Sequence, residues 1–103
     1  MNFTNKIEEH QAIKLLEESG KEFLSLFHES HLSVEIYKPQ LIDKQTPHDR
    51  DEFYLIISGR GKFQLLEKVT AFRTGDFLYV PAHAEHKFFE FTDDFITWVF
   101  FIS

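Results

Sequence analysis

The feature that most constrains this chain is a succession of short apolar runs separated by turn residues. After residue 20 the sequence alternates between runs rich in Phe, Val, Ile and Tyr and breaks that contain Gly, Pro, Asp or Ser. Such runs predict β-strands. The predicted strands span 22–28, 33–38, 52–58, 61–66, 69–72, 77–80, 86–91 and 95–102. Many short strands at this spacing are typical of a small barrel or sandwich, so the sequence predicts an all-β fold.

The front of the chain has a helical pattern. The apolar residues on one side of a 3.6-residue repeat there are Ala12, Leu15 and Leu16. Asn5, followed three residues later by Glu8, is a capping-box pattern that predicts the start of the helix. Gly20 predicts its end. We therefore expect a short helical segment over 1–20 and one β-barrel domain over 21–103.

Composition and charge exclude several classes of function. The 103 residues carry a formal net charge of −6, which argues against nucleic acid or an anionic membrane as a partner. No cysteine is present, so disulfides, thiolate zinc sites and cysteine nucleophiles are excluded. Residues 1–6 lack the pattern of a signal peptide, and the apolar run 95–102 is too short to span a bilayer. The sequence predicts a cytoplasmic protein.

Alternation within the predicted strand 52–58 separates a polar face from an apolar one. Glu52, Tyr54 and Ile56 share one face, and the other face carries Phe53, Leu55 and Ile57. If the polar face lines a cavity, the apolar face has to be covered by the N-terminal helix or by a second protomer. The run 95–102 is apolar on both faces, and 13 phenylalanines are many for so short a chain. These features predict a homodimer.

Six histidines fall into two groups. His10, His28 and His31 lie in the helix and in a polar hairpin, where we expect solvated side chains. His48 and Glu52 are four residues apart in an extended segment, so their side chains point the same way. His86 opens a later strand. Imidazoles and a carboxylate that converge from two strands make a site for a divalent first-row metal.

Two segments resemble the sequence motifs of the cupin superfamily. The first is His48-x3-Glu52-x6-Gly59, and the second is Gly75-x5-Pro81-x-His83-x2-His86. The resemblance covers residues 33–100, with the short hairpin 60–74 between the motifs. It implies a double-stranded β-helix barrel with one divalent metal ion (Zn, Fe, Mn or Ni) in the barrel mouth. The implied ligands include His48, Glu52 and His86.

The first cupin motif is incomplete, because Thr46 stands where its first histidine is usually found. The segment resembles a bacterial subgroup with Gln-x-Pro-His at this point. Strict alternation would put Thr46 inward, but a bulge at Pro47 would turn Gln45 toward the metal as a weak fourth ligand. In the second motif His83 replaces a turn glycine. The fourth ligand is therefore Gln45, Thr46 or His83, and we favour a turn role for His83.

Glu90 replaces the asparagine that closes the second cupin motif. It is in phase with His86, which would place it inside the barrel, with Arg50 as the obvious partner. Alternatively, a twist at the end of the strand carries Glu90 out to solvent.

A site with two histidines and one carboxylate leaves open metal positions for water, substrate or dioxygen. Tyr54, Ile56 and Phe88 are predicted to face inward near the metal and to line a cavity with aromatic walls. Together with the resemblance, this cavity indicates a small metal-dependent enzyme, an oxygenase, isomerase or lyase that acts on a small organic molecule. A non-catalytic module that binds or senses a small ligand is the alternative. A third interpretation is a metal-free dimer scaffold. The ligand set alone does not choose among reactions, since a redox-inert metal would act as a Lewis acid.

Overall fold

The structure, a computed structural model, describes residues 5–103. Within that range it has one helix and eight strands, numbered in chain order. The helix α1 spans Glu9–Ser19. The strands are β1 (Phe23–Glu29), β2 (Leu32–Tyr37), β3 (Asp51–Ser58), β4 (Arg60–Leu65), β5 (Lys68–Arg73), β6 (Phe77–Val80), β7 (His86–Phe89) and β8 (Ile96–Ile102). All eight predicted strands are present, and the all-β prediction is confirmed.

The strands form two antiparallel sheets. One has the order β1-β2-β8-β3-β6 and the other β5-β4-β7, the arrangement of a double-stranded β-helix. Strand β8 is the middle strand of the larger sheet and pairs with both β2 and β3. A central strand with packing on both faces reads as a continuous apolar run. The run 95–102 therefore has an explanation within one chain.

The space between the sheets is filled mostly by aromatic rings. Phe88 of β7 is 1% exposed and contacts Tyr54, Phe63, Phe72 and Phe95 with ring centroids 4.7–5.3 Å apart. Rings at these separations pack with favourable edge or tilted geometry and bury large areas. The predicted inward face of β3 is confirmed, since Glu52, Tyr54 and Ile56 are all buried.

A second apolar cluster lies on the outer face of the larger sheet, under α1. It consists of Ala12, Leu16, Leu26 and Ile36, with Ile7, Ile57 and Trp98 among its partly buried neighbours. Of the predicted apolar face of β3, Ile57 packs against this cluster. Phe53 stacks on Phe100 with centroids 4.6 Å apart, while Leu55 stays exposed.

The prediction for the start of the helix is wrong, and that for its end is confirmed. The N-cap is Glu8, without a side-chain capping bond, so Asn5 and Glu8 form no capping box. The helix therefore begins later than the capping pattern predicts. Ile7 packs against the cluster under α1, a contact that the capping pattern does not predict. Gly20 ends the helix at φ 70°, the left-handed conformation that glycine adopts readily.

Strand β7 ends at Phe89, two residues before the predicted end, because Glu90 has φ 50°. This left-handed residue carries its carboxylate outward, where it lies 3.1 Å from Lys62 Nζ. The inward placement of Glu90, with Arg50 as its partner, is therefore wrong, and the outward alternative is correct.

Gly59 allows the close approach that follows β3. It has φ 92°, and a Cβ at this position would lie 2.6 Å from the Cα of Phe95. Only glycine fits both conditions. No helix in residues 5–103 has the length and apolar character needed to cross a bilayer.

Candidate metal centre

Glu52 provides a buried carboxylate near the start of β3. Glu52 is 1% exposed, and it is paired with Val80 of β6 and with Phe101 of β8. Neither carboxylate oxygen has a hydrogen-bond partner within the described residues. An ionised carboxylate buried in this way needs a cation nearby.

His48 lies just before β3, in a loop that is fastened to the segment between β6 and β7. Its carbonyl oxygen accepts a 2.6 Å hydrogen bond from the His83 N–H. Asp51 Oδ1 likewise accepts a 2.8 Å hydrogen bond from the Ala82 N–H. These two bonds tie together the two segments that resemble cupin motifs. The His48 ring packs edge-on against Phe101, and its Nε2 lies 3.7 Å from Glu52 Oε1.

His86 completes the cluster from the smaller sheet. Its Nδ1 lies 2.9 Å from the carbonyl oxygen of Ala84. Since a carbonyl can only accept, Nδ1 carries the proton and the neutral ring presents the lone pair of Nε2. That atom lies 2.9 Å from Glu52 Oε1, yet the two do not meet the geometry of a hydrogen bond.

The pKa of His86 lies above its ordinary value of 6.5. Burial alone would lower it, because the charged ring loses its hydration. The Glu52 carboxylate beside Nε2 and the Ala84 carbonyl at Nδ1 outweigh that effect. The site therefore attracts positive charge, whether a proton or a cation.

The cluster fits a divalent metal ion. One nitrogen from each imidazole and one oxygen of Glu52 all lie within 4.8 Å of one another. Donor atoms that share one ion at about 2.1 Å are roughly 3.0–3.5 Å apart, so the 2.9 and 3.7 Å separations from Glu52 Oε1 need only small adjustments. The atoms without partners, in the part of the chain that the structure describes, are His48 Nε2, His86 Nε2 and both Glu52 oxygens. Four converging buried polar atoms without partners are explained by a cation between them.

A hydrogen-bonded network places Gln45 beside this cluster. Tyr54 donates a 2.9 Å hydrogen bond from its hydroxyl to Gln45 Oε1, and Gln45 Nε2 donates one of 2.9 Å to Asp43 Oδ2. Asp43 also accepts from the Tyr37 hydroxyl and from the N–H of Phe88. Because Asp43 accepts from the amide nitrogen, the amide oxygen of Gln45 is held toward Tyr54. Its role as a fourth ligand stays a prediction.

Both tyrosines of this network keep their protons. Burial raises the pKa of Tyr54 well above its ordinary value, and the nearby Glu52 carboxylate raises it further. Burial and the hydrogen bond to Asp43 likewise raise the pKa of Tyr37. The two hydroxyls therefore act as donors at neutral pH.

The other two candidates for a fourth ligand are exposed, whereas Gln45 is partly buried. Thr46 is one of these two, and its role as a ligand stays a prediction. His83 is exposed at φ 70°, which confirms its role as a turn residue. His10, His28 and His31 are exposed as well, in agreement with the prediction that they are solvated.

Two residues of this region were missed by the analysis of the sequence. Asp43 lies in an irregular loop, where no periodicity marks an inward side chain. Glu35 shares one face of β2 with the buried Ser33 and Tyr37. This two-residue spacing could have identified Glu35 as inward-facing.

A cavity of about 720 Å³ opens beside His48, a volume in the usual range for small-molecule sites. Its wall includes the apolar side chains of Tyr37, Val99 and Phe101, and its rim includes residues 20–23 and 44–46. Its partly buried charged residues are Glu22, Glu35 and Arg50. Desolvation raises the pKa of Glu35 and nearby Glu52 adds to the effect, although Arg50 acts in the opposite direction.

Comparisons with known proteins agree with the fold. The family model described as "Cupin domain" matches residues 33–102. An uncharacterised protein of Streptomyces coelicolor is 33% identical over 81 residues, which are 77% of each chain. A cupin-2 domain-containing protein from Shewanella frigidimarina has a TM-score of 0.72 at 14% identity, over 94% of both chains. A DMSP lyase from Ruegeria pomeroyi has a TM-score of 0.67 at 18% identity, over 79% of this chain and 46% of the other. The chain belongs to the cupin family.

Proposed function

We propose that this protein is a metal-dependent cupin enzyme that acts on a small organic molecule. The observation that carries the proposal is the position of the candidate ligands His48, Glu52 and His86. Their converging lone pairs lie beside a cavity of about 720 Å³, and His48 belongs to both. A purely structural metal site is closed by protein ligands, whereas a catalytic one keeps open positions. The lyase among the structural relatives is consistent with this class of function.

The metal would be held by the two imidazoles and the carboxylate, which suit Zn, Fe, Mn or Ni in the divalent state. When bound, such an ion polarises a substrate oxygen or, if redox-active, supports chemistry with dioxygen. Gln45 would be a weak neutral fourth ligand, since Asp43 holds its amide with the oxygen facing Tyr54.

The chain's own residues would bind the substrate and move protons. Phe101 and Val99 form an apolar wall that displaces water from the substrate. Glu35 lines the same cavity, and its raised pKa brings the carboxyl closer to neutral pH. A carboxyl of this kind is suited to act as a general acid or base, and we assign that role to Glu35.

The first test is the metal content of protein purified without chelators and then loaded with Zn²⁺. We expect about one equivalent in the wild type and less than about a tenth in His48→Ala and His86→Ala. His83→Gly is the matched control, because it removes a nearby imidazole and suits the left-handed backbone. Less than a tenth of an equivalent in the wild type would contradict the proposal.

The second test separates an enzyme from a binding module. Metal-loaded protein is screened against small organic molecules for a rise in melting temperature and for turnover. Turnover that Glu35→Gln reduces, at unchanged metal content, supports the enzyme. Ligands that raise the melting temperature and are never converted favour the alternative of a non-catalytic binding module.

We also propose that two copies associate through the outer face of β3 and β6. Leu55, Phe77 and Tyr79 are exposed there next to Phe53, and β6 is an edge strand. Exposed apolar residues on an edge strand favour association with another chain. Sedimentation should report a dimer that Phe77→Glu dissociates; a wild-type monomer at high concentration would contradict this proposal.

A further inference from the structure

Arg50 lines the cavity beside the candidate metal centre, and the nearby carboxyl group of Glu35 does not approach it within ion-pair distance. Within residues 5–103, Arg50 forms no ion pair. Its Nη1 donates a 3.3 Å hydrogen bond to Ser33 Oγ, and its Cζ lies 5.1 Å from the centroid of the Phe101 ring. The guanidinium has five N–H donors. One contact with a hydroxyl therefore leaves most of its capacity for a ligand.

Arg50 and His48 contact the same ring. His48 packs edge-on against Phe101 with centroids 4.8 Å apart, and the guanidinium of Arg50 lies over that ring. Both residues line the cavity. A ligand bound there can therefore approach the candidate metal centre with one end and Arg50 with the other.

A bound metal would offset the negative charge in the cavity that opposes an anion. At the rim, Lys21 and Lys44 are matched by Glu22 and Asp49. In the interior, Arg50 lies near Glu35, and the carboxyl groups of Glu52 and Asp43 are near His86. If all three carboxyls are ionised, their charge exceeds that of Arg50 by two, and a divalent cation would bring the sum to zero. Arg50 would then attract an anion without net repulsion, and the low dielectric of the barrel would strengthen that attraction.

We propose, on the basis of the metal-dependent function proposed above, that the substrate is a small organic carboxylate whose carboxylate group binds to Arg50. Guanidinium and carboxylate match in planar, two-point geometry. The apolar body of the molecule lies against Phe101 and Val99, and its reacting part faces His48.

A phosphate ester fits less well than a carboxylate. The C-terminal end of α1, at Gly20, is at the rim of the cavity. The partial negative charge of a helix C-terminus disfavours a dianion. A single arginine in the interior also suits one negative charge.

The test compares three probes of similar shape on the zinc-loaded protein by calorimetry: phenylacetate, phenylacetamide and phenyl phosphate. We expect phenylacetate to bind about 10- to 100-fold more tightly than phenylacetamide, the range for a hydrogen bond to a charged partner. Arg50→Gln should remove most of this difference and leave the binding of phenylacetamide unchanged. Arg73→Gln, which alters an exposed arginine on β5, is the matched control and should behave as the wild type.

Zinc content is measured on every sample, so that a failure of the metal-dependent function can be distinguished from a failure of the carboxylate proposal. Protein that holds no zinc contradicts the metal-dependent function. Zinc-loaded protein that binds phenylacetate no better than phenylacetamide, binds phenyl phosphate more tightly, or is unaffected by Arg50→Gln overturns the carboxylate proposal alone. If Arg50→Gln does not fold, Arg50→Lys keeps the charge but loses the two-point geometry, and we expect a severalfold weaker affinity for phenylacetate; unchanged affinity would overturn the proposal.

Discussion

The larger sheet separates two regions of opposite character. On its outer face, α1 covers a cluster formed by Ala12, Leu16, Leu26 and Ile36, which are all apolar. On its inner face, the aromatic interior includes Nε2 of His86 and both carboxylate oxygens of Glu52, which lack hydrogen-bond partners among the described residues. A buried polar group without a partner costs about 1–3 kcal/mol of stability. The outer cluster is therefore built for stability, and the inner one keeps groups that are explained by binding a cation.

We expect the largest effect, on zinc affinity, for a change in the inner cluster. His86→Ala should lower the affinity for Zn²⁺ by at least about 100-fold, because even the loss of a group that only orients a ligand costs 10- to 100-fold. The measurement is a competitive titration with a chromophoric chelator. Affinity within a few-fold of the wild type would remove His86 from the site.

A change in the outer cluster should affect stability and leave the metal site intact. Leu26 is 0% exposed, so Leu26→Ala should lower the free energy of unfolding by about 2–5 kcal/mol through lost burial and a cavity. Denaturant unfolding measures the loss, and zinc content should stay as in the wild type. A folded Leu26→Ala protein without zinc would show that the two regions are not independent.

Some residues of the inner region could be predicted from the sequence and others could not. Alternation along β3 placed Glu52 inside correctly, since a two-residue period maps directly onto the faces of a sheet. Motif spacing identified His48 and His86, which the fold brings together. The inward direction of Asp43 could not be predicted from the sequence, because it depends on hydrogen bonds with Tyr37 and Phe88. Phe88 is distant along the chain, and Asp43 itself lies in an irregular loop.

Two predictions were wrong, and each concerns local backbone conformation. Glu90 adopts a left-handed backbone conformation that glutamate rarely takes. The residues next to it are not turn formers, so the alternation of the strand predicted the wrong direction for its side chain. At the start of α1, Ile7 packs against the cluster under the helix, and the capping pattern at Asn5 is not formed. This contact with residues distant along the chain is not encoded in the local pattern.

The inner cluster should also respond to pH in a definite direction. The pKa of His86 in the metal-free protein is above its ordinary value of 6.5, so the stability that this proton contributes is present below pH 6.5 and lost as pH rises through the folded-state pKa. Zn²⁺ needs the deprotonated ring. The rise in melting temperature on adding Zn²⁺ should therefore grow from about pH 6 to pH 8. A rise that is constant or shrinks over this range would contradict the assignment of His86.

The smallest effect is expected for the carboxylate that the fold turns outward. Glu90 pairs with Lys62 at the surface, where both side chains are at least half exposed, and such pairs contribute about 0–1 kcal/mol. Glu90→Gln should leave zinc affinity unchanged and barely alter the melting temperature. Glu52→Gln, the same chemical change inside the barrel, should abolish zinc binding. Similar results for the two variants would contradict the contrast between inside and outside.

The most direct test of the metal centre is an anomalous difference map from crystals of the zinc-loaded protein. We expect one peak about 2.0–2.2 Å from the Nε2 atoms of His48 and His86 and from an oxygen of Glu52. A map with no peak between these three side chains, in crystals of protein that carries one equivalent of zinc, would contradict this expectation.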